Sequence, residues 1–258
     1  MTLFRPLILL LCAFRLAALQ PLLAQNLPES GASKFKSALR YRNRTVEGWS
    51  VHIREELFAE RPETIEKAVL LLRKQLKEII RVVPNSALPK LRKVVLWFSL
   101  EYPGVGPRAE YHPGREWLIE NRRNPEMAKG IEFTNVSRFA LEMDRMPNFV
   151  LHELAHSFHD QTLGFQNADV STAFKNAKSS KNYDLVERWN GSGHPVTREP
   201  SYAMTNPQEY FAESTEAYFG RNDFFPFTRE ELKRVDPEME GLLKRLWNSA
   251  QPRSSSRK

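Results

Sequence analysis

Residues 147–164, PNFVLHELAHSFHDQTLG, decide how this chain is read. Pro147 stands where a first helical residue belongs. Val150, Leu151, Leu154, Ala155 and Phe158 recur at helical spacing, and Gly164 supplies a stop. On that helix His152, Glu153 and His156 form an H-E-x-x-H pattern. Side chains four apart share one face, about 6 Å apart along the axis, so the two imidazoles can converge on one zinc ion. Glu153 can flank the ion's remaining position and take a proton from water. His159 lies about 4.5 Å beyond His156 along the axis, and a supporting or surface place is expected for it. A metzincin would carry a third histidine six residues after His156, but Thr162 is there. The third ligand must come from another element.

A second helix downstream offers it. Asn206 and Pro207 make an N-cap and first turn, and Gly220 marks the end. Glu209 and Glu213 lie four apart on one face, with Glu216 close to the same stripe. One carboxylate can complete a tetrahedral site, and another one turn on can accept a hydrogen bond from a ligating histidine.

Residues 202–213, YAMTNPQEYFAE, taken with HELAHSFHD upstream, resemble the metalloprotease domain of anthrax lethal factor and, more loosely, the Pro-Pro endopeptidases. Both are glutamate-zincins. The resemblance covers about a quarter of the chain. It implies one zinc ion held by His152, His156 and Glu209, with Glu153 as general base and Glu213 as the acid behind the ligands. It also implies that the Tyr202 hydroxyl faces the reacting oxygen. Pro207 and Gln208 depart from the lethal-factor pattern. His194, in the loop NGSGHPVT, competes with Tyr202 for the oxyanion role.

Outward from these helices the pattern is mixed. Residues 45–53, with Gly48 inside, are expected as a strand, as are 93–100, 116–120 and 131–136. Pro62 opens a long amphipathic helix through Ile65, Val69, Leu72, Leu76, Ile79 and Ile80 that stops at Pro84. The Pro- and Gly-rich segment 102–114 is expected as loop, with His112 a turn residue, and a loop-rich stretch fills the space before Asn206. Thr228 with Glu231, and Asp236 with Pro237, signal two closing helices. The expected fold is α+β and zincin-like: a mixed sheet, the H-E-x-x-H helix and a following glutamate-bearing helix.

The expected domain plan is a signal peptide over 1–24, a linker over 25–40, the catalytic domain over 41–248 and a disordered basic tail over 249–258. Arg5 and the short apolar run after it have the shape of a secretory signal, which implies a secreted or periplasmic protein with no stable membrane span once it is cleaved. Cys12, the single cysteine, would leave with it, which excludes disulfides, thiol catalysis and cysteine zinc ligands. Loss of Arg5 and Arg15 takes the formal net charge from +7 to +5. The basic residues are dispersed, so no nucleic-acid partner is expected; the partner is a peptide or protein substrate. Asn43, Asn135 and Asn190 open N-x-S/T triplets, which matter only in a eukaryotic source. The functional expectation is an exported zinc metallopeptidase. The alternative, a silent exported zinc-binding interaction module, is disfavoured by the intact Glu153.

Overall fold

A computed structural model describes residues 40–249. The expected signal peptide lies outside them, as do the linker and tail apart from residues 40 and 249. The first element corrects an expectation: residues 45–53 are not one strand but belong to a hairpin of β1 (Tyr41–Val46) and β2 (Trp49–Arg54). Glu47 and Gly48 form the turn with φ of 51° and 94°. Both values fall in the left-handed region that two-residue hairpins require, so the glycine is the apex of the turn. Along β2, Trp49, Val51 and Ile53 are buried at the period of two that a sheet demands.

Helix α1 (Glu55–Glu60) leads into α2 (Pro62–Val82), the expected long helix, which starts on its proline and buries Ile65, Val69, Leu72, Leu76 and Ile79. A single turn, α3 (Leu88–Leu91), precedes β3 (Leu96–Phe98). The segment expected to be all loop contains β4 (Ala109–Tyr111), a three-residue strand. The expected strand at 116–120 is instead helix α4 (Arg115–Glu120), which buries Leu118 and leaves Trp117 and Ile119 at 41% and 55% exposure. So short an apolar run has no period from which to tell helix from strand. Strand β5 (Ile131–Phe133) then inserts between β3 and β4, parallel to the first and antiparallel to the second. The resulting order, β1-β2-β3-β5-β4, is the mixed sheet of an α+β fold.

Register gives the sheet two different faces. Val51, Leu96, Ile131 and Tyr111 lie in one row and Ile53, Phe98, Phe133 and Ala109 in the next, both turned toward the helices and the main core. On the opposite face His52, Trp97, Glu132 and Glu110 form the row between them, and there Leu118 and Met127 cover Trp97.

The remaining helices all contribute side chains to the main core. After α5 (Phe139–Arg145) comes α6 (Phe149–Phe158), all ten of whose residues are buried. Pro147 lies just outside it and Asn148 occupies the N-cap position. A π turn, His159–Leu163, continues α6 and stops at Gly164, whose φ of 80° suits glycine. The stretch read as loop-rich holds α7 (Ala168–Ser180) and a hairpin of β6 (Val186–Arg188) and β7 (Thr197–Glu199). Helix α7 has only a faint apolar stripe, since small residues and one valine make its contact: Val170, Ala173 and Ala177.

A 3-10 turn, Tyr202–Met204, precedes α8 (Pro207–Phe219), capped by the Asn206 side chain as expected. The capping box at Thr228 opens α9 (Arg229–Val235), and Asp236 caps α10 (Pro237–Asn248). Trp247 of α10 stacks on Phe158 of α6 at 4.0 Å between ring centroids, binding the last helix to the one that bears the histidines. Among the described residues no helix is long and apolar enough to cross a membrane.

Candidate metal centre

Helix periodicity brings His152 and His156 onto one face of α6, with ring centroids 4.7 Å apart. Glu209 enters from the first turn of α8, where its N–H donates to Asn206 Oδ1 at 2.8 Å and so fixes the start of the helix. Three donor atoms from the two helices form a nearly equilateral triangle. His152 Nε2 lies 3.1 Å from His156 Nε2 and 3.1 Å from Glu209 Oε2, and His156 Nε2 lies 3.3 Å from the same oxygen. These residues could hold a metal ion.

The protonation pattern suits a cation. His152 Nδ1–H donates to Glu216 Oε1 at 2.7 Å, which turns the Nε2 edge of the ring into the triangle. Burial alone would raise the Glu209 carboxyl, but the two imidazoles, His156 first, more than reverse this and hold it far below the usual carboxylate range. Burial would lower His152, yet its bonds to Glu209 and Glu216 push it well above the ordinary histidine value. Both shifts express the same field, one that favours positive charge between the helices.

Glu153, the next residue along α6, is buried and accepts the Tyr111 N–H at 2.8 Å through Oε2. Burial raises its carboxyl, with His152 and His156 opposing. The sheet edge thus touches the centre through a backbone donor that no side-chain pattern announces.

The expected partner for the histidine was Glu213, but its Oε1 stands 3.8 Å from His152 Nδ1, and its Oε2 accepts from Asn222 Nδ2 at 3.0 Å. Glu216 makes the short bond. At about 100° per residue, seven residues past Glu209 return to within roughly 20° of the same face, whereas four residues overshoot by roughly 40°. Behind these two acids, buried Asp223 is met by Arg145 at 3.2 Å and Arg188 at 3.6 Å. Burial pushes Glu216 up to about 7, with the His152 hydrogen bond opposing.

His159 is not on the surface. It is fully buried, its ring 4.8 Å from Phe211 and 5.3 Å from Phe165, and burial lowers it to about 4. Tyr202 is 40% exposed on the 3-10 turn that packs against α8, and His194 is exposed in the β6–β7 loop.

His112 is buried and is no turn residue. Its Nε2–H donates to Glu132 Oε2 at 3.0 Å within a cluster that also holds Arg123, Glu110 and Tyr102. His112, Glu110 and Glu132 lie close enough together to hold an ion, but the Arg123 guanidinium bonds both acids and already supplies the positive charge. Those partners are 9 to 30 residues apart, so no local pattern marks them.

Fold and site together define a mixed α+β protein with a His/His/Glu donor cluster built across two packed helices. The family model described as anthrax toxin lethal factor, N- and C-terminal domain, matches residues 135–246, a span that contains both helices, and the chain resembles anthrax lethal factor over it. No curated protein and no solved structure gives a match.

Proposed function

We propose that the chain is an exported zinc-dependent metallopeptidase with His152, His156 and Glu209 as ligands and Glu153 as general base. The donor triangle carries this reading. A tetrahedral ion at about 2.0–2.1 Å from nitrogen and oxygen ligands spaces them by roughly 3.3 Å, and the three donors stand 3.1 to 3.3 Å apart. The resemblance to lethal factor over the same helices supports it independently.

When bound, zinc acidifies a water molecule and polarises the peptide carbonyl. Glu153 accepts the proton of the attacking water and later passes it to the leaving amine. Tyr202 donates a hydrogen bond to the oxyanion that forms during attack. Glu216 holds His152 in the tautomer that directs Nε2 at the ion. A silent zinc-binding module would have no need of a buried carboxylate beside its donors, and Glu153 provides one. Export follows from the signal-like N-terminus.

The test is metal analysis of the purified chain with a peptide-cleavage assay before and after chelation. One zinc per chain and chelator-sensitive cleavage are expected. Metal-free protein with undiminished cleavage would overturn the reading.

A further inference from the structure

Tyr111 touches α6 and its continuation twice. Its backbone N–H donates to Glu153 Oε2 at 2.8 Å, and its phenol O–H donates to Asp160 Oδ2 at 2.6 Å. Glu153 and Asp160 are seven residues apart, about 10 Å along a helix axis, so this one residue of β4 braces nearly two turns. Asp160 lies in the π turn that follows α6, where the Lys129 ammonium also donates to Oδ2 at 2.6 Å.

The residues on either side of Tyr111 are fixed to the other face of the sheet. Glu110 pairs with Arg123, and His112 donates its N–H to Gly130 O and its ring hydrogen to Glu132, each at 3.0 Å. Strand β4 is only three residues long and sits at the sheet edge. Pairing with β5 alone is a weak constraint on such a strand.

We propose that Tyr111 is a positioning residue: its phenol, bonded to an Asp160 that Lys129 also holds, locks β4 against α6 so that its amide holds the Glu153 carboxylate in one place beside the donor triangle. A glutamate side chain has several rotamers to choose among, and a fixed donor selects one of them. The inference rests on the reading of Glu153 as general base. It adds that the base depends on a tyrosine 42 residues away in sequence.

The experiment compares the zinc-loaded wild type with Tyr111→Phe, Asp160→Ala, Asp160→Asn and the double variant Tyr111→Phe/Asp160→Ala. Tyr111→Phe and Asp160→Ala should each lower kcat about tenfold, the scale of one lost hydrogen bond. KM and bound zinc should stay within about twofold, because neither substrate nor ion is touched. The double variant should be no worse than either single one, and Asp160→Asn, which keeps an acceptor for the phenol, should restore most of the rate.

Hydrogen exchange at the residue 111 amide gives a readout that needs no catalysis. It should speed up in the two damaging variants and stay slow in Asp160→Asn. Unchanged exchange and kcat in Tyr111→Phe would overturn the proposal, as would a loss confined to KM or zinc content. A wild-type protein that binds zinc but cleaves no peptide would instead defeat the assignment of function, while the exchange rates would still decide whether the brace exists.

Discussion

Glu216 accepts the Nδ1 hydrogen of His152 at 2.7 Å, whereas Glu213, a turn nearer to Glu209 on the same helix, stands 3.8 Å from that nitrogen. The pair therefore separates two carboxylates of equal burial by what they touch. It also sets the order in which substitutions should harm the site.

Glu216→Ala should weaken zinc binding by about 10- to 100-fold, the usual cost of losing an acid behind a ligating histidine. Glu213→Ala should cost less, since its near partner is Asn222. Competition with a fluorescent chelator measures both. If Glu213→Ala is the more damaging, the orienting role belongs to the nearer turn.

Ligand and base should separate cleanly. Glu209→Ala removes one of three donors, and its zinc content should fall to background. Glu153→Gln should keep the ion and lose turnover by about 100- to 10,000-fold, the range for general acid–base catalysis. Zinc content beside kcat for the two proteins decides this.

Tyr202→Phe keeps the ring and deletes the hydroxyl. If that hydroxyl stabilises the oxyanion, kcat should drop by about 100- to 1000-fold while zinc content and KM change little. His194→Ala should leave the rate within about twofold. The opposite ranking would transfer the role to the β6–β7 loop.

His159 should make the fold acid-sensitive. Burial holds its folded-state value at about 4, below the ordinary 6.5 or so of an unfolded chain. Between these values the unfolded state binds a proton that the folded state refuses. Stability from this group is therefore complete above about pH 7 and lost as pH falls toward 4, by about 3 kcal/mol in all. Urea unfolding at several pH values should show that slope, and His159→Phe should flatten it.

What could be read from residues alone follows the range of the interaction. The Asn206 and Asp236 caps, the Thr228 box, the proline start of α2 and the H-E-x-x-H spacing all depend on neighbours within a turn or two, and each stands as expected. The choice between Glu213 and Glu216 depends on how α6 lies across α8, which no spacing within α8 contains. His112, just before Pro113 and Gly114, has the sequence setting of a turn residue, yet its place is set by Glu132 across the sheet. Gly48 is legible as a break, but a hairpin needs a second strand, and β1 is mostly polar with Val46 alone buried. Tyr111 had no signal at all, because its contact with Glu153 is made by the backbone.

The burial of every residue of α6 bears on when the centre comes into being. His152 and Glu209 are 57 residues apart, so a chain synthesised from its N-terminus releases both histidines well before their third companion. Until α8 and α10 close over it, α6 has neither a full set of donors nor a dry place to lie. A chain cut short before residue 209 should therefore be inert as well as unfolded, and metal loading should be among the last events of maturation.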